Sequence, residues 1–211
     1  MFIDLKLEGK RVLILGGGVV GERKAKKFLG SNSKITIVSK DFTENLKNLS
    51  QKYEIQLKNT NEQSLDSLIS NSDLVIAATD DENYNEKIVL NSKNKNILVS
   101  SVDNPFISDF IMPATKIIGD IIVGIGTGGK SPMMAKIIGE RLKKHVTNED
   151  ILQVRLQHYA RTLLKNFLSN KKDRRVILHQ ILNDREISQF LSKNNLKKAK
   201  HHVRKIIKLS M

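Results

Sequence analysis

Cysteine is missing from this 211-residue chain. Its absence excludes disulfide bonds, thiolate catalysis, and zinc or iron–sulfur sites with cysteine ligands. A cysteine-free sequence also fits the reducing cytoplasm, which is the expected compartment. Apolar runs long enough to cross a bilayer are missing too, so no membrane partner is expected. The first residues, MFIDLKLEGKR, lack the basic-then-apolar order of a secretory signal.

Positive charge is present in large excess. The chain carries 36 Lys and Arg against 22 Asp and Glu, a formal net charge of +14. Such a balance favours a polyanionic partner: nucleic acid, a membrane surface, or a small molecule with several carboxylates or phosphates. The net positive charge is explained equally well by a surface that is generally rich in Lys and Asn, as in the tracts NSKNKN and NLKKAKHH.

The first half of the chain alternates apolar, β-branched runs with segments of helical character. Strands are predicted at Val12–Leu15, Ile35–Val38, Leu74–Ala77 and Ile97–Val99, and more weakly at Tyr53–Leu57. Helices are predicted between them, at Gly21–Leu29, Thr43–Gln51, Gln63–Ile69 and Asn83–Ser92. This alternation predicts βαβ units and a parallel sheet covered on both faces. The expected fold class is α/β, with a Rossmann-like doubly wound parallel sheet.

The pattern changes after Pro105. Lys116–Ile118 and Ile121–Ile125 are typical of a small β-hairpin that turns at Gly119-Asp120. Ser131 and Pro132 are typical of a helix N-cap and first position, and that helix should run to about His145. Beyond Val146 only helical periodicity remains, at Ile151–Leu168, Arg174–Leu182, Glu186–Lys193 and Leu196–Leu209. We therefore predict three parts: residues 1–112, residues 113–145, and an α-helical C-terminal domain at residues 146–211.

The segment RVLILGGGVVGERKA places the spacing G-x-G-x-x-G between a predicted strand and a predicted helix. That context is the one in which the spacing indicates dinucleotide binding. Gly16 permits the tight turn, Gly18 lets the backbone approach a pyrophosphate, and Gly21 lets the helix pack closely on the strand. The helix N-terminus offers N–H groups and partial positive charge to phosphates. The alternative is a nucleotide-free α/β domain with a glycine turn.

The end of the second predicted strand, IVSKDF, is the second part of this candidate cofactor site. A NAD site usually places an acid there to hold the ribose hydroxyls. Ser39 occupies the expected position, Lys40 follows, and Asp41 comes slightly late. Asp41 could accept the ribose hydroxyls, while Lys40 could tolerate a ribose phosphate, so the choice between NAD and NADP stays open.

Thr79, in VIAATDDEN, is a further cofactor-binding candidate. It follows Leu74–Ala77, at the carboxyl end of a predicted parallel strand, where ligands bind in open α/β sheets. The alternative is an ordinary exit from the strand, with Asp80 and Asp81 capping the next helix.

Four segments occur in the order seen in precorrin-2 dehydrogenases, the dehydrogenase part of siroheme synthases: GGGVVGERKA, AATDD, VDNPFISDFIMPA and GTGGKSPMMAK. The chain resembles that family over essentially its whole length. The resemblance implies NAD-dependent oxidation of precorrin-2 to sirohydrochlorin. It also implies a homodimer, with residues 113–145 as the dimerisation region. Some members also insert ferrous iron to give siroheme, so a bifunctional enzyme is an alternative.

The resemblance also assigns residues. It places cofactor contacts at Val19 and Val20 in the glycine loop, and at Lys40 and Asp41 after the second strand. The family's key acid matches Asp103. The family's S-G-G-T-S-P loop is TGGKSP here, which assigns substrate binding to Thr127, Gly128, Lys130 and Ser131. Thr127 stands where some members have a serine that can be phosphorylated, and Lys130 replaces a small polar residue.

Asp103 is the proposed general base. Oxidation of the macrocycle needs departure of a hydride to nicotinamide and loss of a proton, for which the protein supplies an acceptor. Asp103 follows the predicted strand Ile97–Val99, on the same ligand-bearing edge as the glycine loop. The alternative is that Asp103 only caps the turn at Asn104-Pro105.

The excess charge has an explanation in this substrate. Precorrin-2 carries acetate and propionate side chains, which Arg binds bidentately. Candidate contacts are Lys130, Arg141, Arg155, Arg161, Arg174 and Arg175, although each also fits a solvated surface position.

A further alternative is a nucleotide-sensing regulator that binds nucleic acid through its basic tail. The tail lacks a clear helix-turn-helix signature, so no nucleic-acid partner is expected. The histidines lack metal-ligand spacing, so no metal site is expected.

Overall fold

The computed structural model describes residues 3–59 and 62–210. The chain divides into two compact units, Met1–Met112 and Pro113–Met211. The finer division at residue 145 stays a prediction.

The first unit is built on a parallel sheet of five strands. The strands are β1 (Arg11–Leu15), β2 (Lys34–Val38), β3 (Ile55–Lys58), β4 (Leu74–Ala77) and β5 (Leu98–Ser101), in the order β3-β2-β1-β4-β5. The direction of winding reverses between β1 and β4, which places a ligand-binding crevice at the carboxyl ends of these strands. The predicted doubly wound α/β fold is confirmed.

Helices cover both faces of this sheet. They are α1 (Val19–Lys26), α2 (Glu44–Lys52), α3 (Glu62–Ser70) and α4 (Glu82–Asn94). Alternate residues of β1 point to opposite faces: Ile14 packs in a core with α1 and α2, whereas Leu13 packs in a core with α3 and α4. Burial on both faces is the reason that the strands are continuous apolar runs.

Two element boundaries differ from the prediction in ways that shape the site. Helix α1 begins at Val19 rather than Gly21, because Gly18 is extended and serves as the N-cap. Strand β5 ends at Ser101 rather than Val99. Ser100 and Ser101 pair in register with Ile76 and Ala77 of β4, so main-chain pairing extends the strand through residues with little β-propensity.

The second unit begins with an antiparallel hairpin of β6 (Ala114–Ile118) and β7 (Ile121–Ile125). Gly119 makes the predicted turn with a φ of +58°. Helix α5 (Pro132–His145) packs on the hairpin, and the Ser131 side chain caps it by accepting from Met134 N at 3.2 Å, as predicted. Helices α6 (Asn148–Phe167), α7 (Lys171–Leu182), α8 (Arg185–Ser192) and α9 (Leu196–Leu209) enclose a core of their own. The predicted hairpin and helical C-terminal region are confirmed. No helix within the described residues is long and apolar enough to cross a bilayer.

Candidate cofactor-binding and active site

The glycine loop joins β1 to α1 with little room for side chains. Gly16 has a φ of +116°, and a Cβ added there would lie 2.1 Å from the carbonyl oxygen of Ala78. A Cβ on Gly21 would lie 1.9 Å from the carbonyl oxygen of Gly16. Any side chain at either position would therefore separate α1 from the ends of β1 and β4, which agrees with the steric roles predicted for these two glycines.

Gly17 is a third steric requirement, and the sequence motif does not reveal it because it occupies a variable position of G-x-G-x-x-G. A Cβ at Gly17 would lie 2.3 Å from Asp41 O and 2.7 Å from Phe42 Cδ1. The backbone N–H of Thr43 donates to Gly17 O at 3.1 Å. The loop that follows β2 thus packs directly on the glycine loop.

Gly18 and Val19 face open space. No atom lies within 4 Å of a Cβ added at Gly18, and no side chain caps helix α1 there. Val19 is 76% exposed, while Val20 packs against the core of the sheet. The first N–H groups of α1 therefore have no side-chain cap, and the space beside Gly18 is open. This open space and the partial positive charge of the helix N-terminus fit the pyrophosphate of a dinucleotide.

Glu22 ties the start of α1 to the loop after β2. Its carboxylate accepts from Lys26 Nζ at 2.5 Å and from Thr43 Oγ1 at 2.7 Å. These hydrogen bonds hold the pKa of Glu22 below its ordinary value of 4.5. Thr43 is also the N-cap of α2. One buried carboxylate thus fixes both helix starts.

Ser39, Lys40 and Asp41 lie in the loop so positioned, at the carboxyl end of β2. Ser39 is half-buried, and its Cβ would be 2.8 Å from a Cβ at Gly17. Lys40 and Asp41 are exposed. The structure therefore brings these three candidates to the glycine loop, with both charged side chains free to face a ribose.

Asn85 connects Thr79 to Asp103. Its Oδ1 accepts from the Thr79 hydroxyl at 2.7 Å and from Thr79 N at 3.2 Å. Its Nδ2 donates to Thr79 O at 3.1 Å and to Asp103 Oδ2 at 2.7 Å. Asn85 is fully buried in α4, whereas Asp103 is exposed. A buried amide thus holds a carboxylate that remains accessible to a substrate.

The Asp103 carboxylate is held by several donors. The Ser101 hydroxyl donates to Oδ1 and Asn85 Nδ2 to Oδ2, and the nearby backbone N–H groups of Asp103 and Asn104 also favour the charged form. Partial desolvation raises the pKa of Asp103, but the hydrogen bonds from Asn85, Ser101 and the backbone outweigh it, so the pKa lies below the ordinary 3.8. The side chain is an ionised carboxylate at neutral pH.

Asn85 is a site residue that sequence reasoning missed. The only signal was an amide residue six positions after Thr79, in the first turn of the helix that follows the strand.

The alternatives in which Asp81 caps a helix and Asp103 caps a turn have partial support. Asp81 is the N-cap of α4, accepting from Tyr84 N at 3.0 Å, whereas at the Asn104-Pro105 turn the side chain that accepts is Asn104, from Phe106 N at 3.1 Å.

The loop between β7 and α5, in the second unit, holds the predicted substrate residues. Thr127 Oγ1 accepts from Ser131 N at 3.1 Å, and Lys130 N donates to Thr127 O at 3.2 Å. Gly128 has a φ of +59°, so the turn requires glycine-like backbone freedom there. The Lys130 side chain is exposed.

The basic substrate candidates do not all come together. Arg155 forms an ion pair with Asp120, and Arg174 donates to the carbonyl oxygens of Leu168 and Ser169 at 2.5 and 2.8 Å. Lys130 and Arg141 are simply exposed, whereas Arg161, Arg174 and Arg175 line one groove. Within the described ranges, no group of three His, Asp or Glu side chains is placed to hold a metal ion.

Comparison with known proteins agrees with this geometry. Residues 3–114 match a protein-family model described as "Putative NAD(P)-binding". The chain is 34% identical over 197 residues to "Putative precorrin-2 dehydrogenase" of Methanocaldococcus jannaschii, covering 90% of this chain and 94% of that protein. It is 32% identical over 200 residues to "Precorrin-2 dehydrogenase" of Methanosarcina barkeri, covering 92% and 88%.

A solved structure shows the same fold. The protein called "SirC, precorrin-2 dehydrogenase" superposes with a TM-score of 0.76 at 23% identity, covering 97% of this chain and 99% of that one. The sequence match to the two archaeal proteins extends over both units and passes 30% identity. This chain therefore belongs to the precorrin-2 dehydrogenase family.

Proposed function

We propose that this protein oxidises precorrin-2 to sirohydrochlorin with NAD, as a step of siroheme biosynthesis. The observation that carries the proposal is an unbroken series of contacts in the first unit. Gly16 packs against Ala78, Thr79 follows, and Asn85 joins Thr79 to Asp103. A dinucleotide-binding loop and an accessible carboxylate therefore belong to one rigid edge of the sheet. Membership of the precorrin-2 dehydrogenase family supports the same assignment.

The residues divide the work between binding and proton transfer. Gly18 and Val19 contact the pyrophosphate, and Gly16, Val20 and Gly21 shape the loop that places them there. The rest of the dinucleotide is surrounded by Ser39, Lys40, Asp41 and Thr79. When bound, NAD supplies the acceptor for the hydride. Asp103 accepts the proton that the substrate loses. Because the pKa of Asp103 is low, the carboxylate is ionised at neutral pH and acts as a weak base, which passes the proton on to water.

In the second unit, we assign the substrate's carboxylates to the β7–α5 loop. Thr127, Gly128, Lys130 and Ser131 supply hydroxyl, backbone N–H and ammonium donors within six residues. Lys130 forms no ion pair among the described residues, so its charge is available to a ligand. Lys and backbone donors of this kind suit carboxylates.

The second unit also supports the homodimer. Ile117 and Ile122 of the hairpin are 73% and 69% exposed, and Met133 of α5 is 73% exposed. Apolar side chains so exposed on one hairpin and its packed helix are typical of a protein–protein interface. We assign this surface to contact with a second copy of the chain. A cytoplasmic location and the absence of a nucleic-acid partner remain predictions.

The proposal is tested by anaerobic incubation of the protein with precorrin-2 and NAD. Formation of NADH together with the sirohydrochlorin spectrum is expected, and the absence of both would refute the proposal. Adding ferrous iron to the finished reaction tests the bifunctional alternative, for which siroheme must form faster than without protein. The regulator alternative requires sequence-selective DNA binding with a steep salt dependence.

A further inference from the structure

The excess of positive charge is confined to the second unit. Residues 113–211 contain 21 Lys and Arg and 7 Asp and Glu, whereas residues 1–112 contain 15 of each kind. The first unit is therefore neutral, and the second carries the whole net charge of +14. A surface that is generally rich in Lys and Asn does not account for this difference, because such a surface would be common to both units.

A groove of about 460 Å³ between α6 and α7 collects part of this charge. Its basic lining consists of Arg161, Lys165, Lys171, Arg174, Arg175 and His179. Leu178 and Leu182 provide apolar surface in the same groove, and no Asp or Glu lines it. The groove is thus a concave surface with cations on two helices and hydrocarbon between them.

The cations of this groove are not neutralised within the protein. No ion pair in the described part of the chain includes any of its Lys or Arg residues. Lys171 and Arg175 stand four residues apart on α7, where like charges repel. In the other large groove of this unit, by contrast, Arg155 pairs with Asp120. Uncompensated cations in a concave wall attract anions strongly.

The groove is also preformed. Arg174 donates to Leu168 O and Ser169 O, just after the end of α6, and Gln157 Nε2 donates to Leu178 O at 3.3 Å. These bonds tie α6 to α7 and fix the spacing of the two walls. Arg161 and Arg175 are exposed, and their guanidinium groups make no hydrogen bond among the described residues, so both groups are available to a ligand.

We propose that this groove binds a carboxylate-rich organic ring. Its volume lies in the range of small-molecule sites. Guanidinium groups on opposite walls suit carboxylates spaced around a ring, and the leucines suit the hydrocarbon between those carboxylates. The binding site is inferred only from the charge, volume and lining of the groove. Only the identification of its ligand with the tetrapyrrole substrate or product rests on the proposed function.

The test uses the full-length protein and uroporphyrin I, a porphyrin with a carboxylate on every side chain. Its fluorescence is titrated with the wild-type protein and with the double variant Arg161→Glu/Arg175→Glu. The dissociation constant should rise about tenfold or more in the variant, because charge-assisted hydrogen bonds are lost and two charges are reversed. The control is Lys197→Glu, an exposed position on α9 outside the groove, which should change it by less than about twofold.

Three results would overturn the proposal: no binding of uroporphyrin, equal weakening by the control variant, or tighter binding of ATP or a single-stranded oligonucleotide that depends on the same two arginines.

Circular dichroism and the melting temperature verify the fold of each variant. If the double glutamate variant does not fold, Arg161→Gln/Arg175→Gln replaces it. NADH formation from precorrin-2 is measured separately. Uroporphyrin binding without NADH formation would refute the proposed function but would still support a binding site in the groove.

Discussion

Asn85 Nδ2 donates a 2.7 Å hydrogen bond to Asp103 Oδ2. The other three hydrogen bonds of this amide go to the backbone and hydroxyl of Thr79. Both donor hydrogens and both acceptor positions of the side chain are therefore used. Thr79 follows β4 and Asp103 follows β5, so one buried side chain fixes the candidate base relative to the neighbouring strand end.

Replacing Asn85 with alanine should reduce both stability and turnover. Thr79 and Asp103 each lose their partner, at a cost of about 1–3 kcal/mol in the free energy of unfolding. We expect kcat to fall more than KM for NAD rises, because Asp103 loses its orientation while the glycine loop is untouched. Steady-state kinetics and thermal unfolding measure the two effects. Asn94→Ala, at an exposed position at the end of α4, is the matched control. Equal loss in both variants would show that Asn85 has no particular role.

The low pKa of Asp103 predicts the pH dependence of the reaction. A folded-state pKa below 3.8 keeps the carboxylate ionised across the neutral range, so the rate should fall only at acid pH. The same depressed pKa adds stability above the unfolded-state pKa of about 3.9, and that stability is lost as the pH falls through the folded-state value.

Ser101→Ala tests the cause of this low pKa. Removing the hydroxyl that donates to Asp103 raises the pKa of the carboxyl, so the acid limb of kcat/KM should move to higher pH. Ser50→Ala, on the surface of α2, should leave the acid limb of the pH profile of kcat/KM unchanged. An acid limb unchanged by Ser101→Ala would mean that it reports another group.

Two glycine substitutions separate packing from cofactor binding. A Cβ at Gly17 collides with the backbone of Asp41, so Gly17→Ala should lower the melting temperature as well as the affinity for NAD. A Cβ at Gly18 meets no protein atom, and its φ of −76° suits alanine. Gly18→Ala should therefore fold with near wild-type stability and still lose NAD affinity, as measured by calorimetric titration. Unchanged NAD affinity in Gly18→Ala would contradict the pyrophosphate assignment.

The proposed dimer surface makes a prediction about assembly. Ile122→Lys places a charge on an exposed apolar side chain of the hairpin, so the fold should change in stability by no more than about 0.5 kcal/mol. The charge should nevertheless dissociate the dimer, as measured by analytical ultracentrifugation. Leu90→Lys, at a side chain of α4 that is 62% exposed, should leave the mass unchanged. A wild-type monomer, or a dimer unaffected by Ile122→Lys, would refute this interface.

Sequence patterns predicted the sheet well because its strands are buried on both faces. Runs such as Val12–Leu15 have no polar interruption and end at glycine or small residues, so their type and approximate ends were visible. The extension of β5 through Ser100 and Ser101 was not visible, because main-chain pairing with β4 maintains it. That extension delivers Asp103 to its position.

The parts of the site that escaped prediction depend on contacts between distant segments. Gly17 is required because the loop after β2 packs on it, and a motif that fixes Gly16, Gly18 and Gly21 but leaves position 17 variable carries no information about that loop. Asn85 is separated from Asp103 by 18 residues and is recognised only when α4 packs beside β5. Spacing within one segment predicts neither contact.

The most direct test of Asp103 as the general base is single-turnover NADH formation with Asp103→Asn under anaerobic conditions. The amide has the shape of the carboxylate and keeps an oxygen to accept hydrogen bonds, so the fold and the NAD affinity should change little. NADH formation from precorrin-2 at saturating NAD should slow by about 10²–10⁴-fold relative to wild type, the usual contribution of a general base. A near-normal rate in Asp103→Asn would remove Asp103 from the mechanism, and wild-type protein that forms no NADH would contradict the proposed oxidation itself.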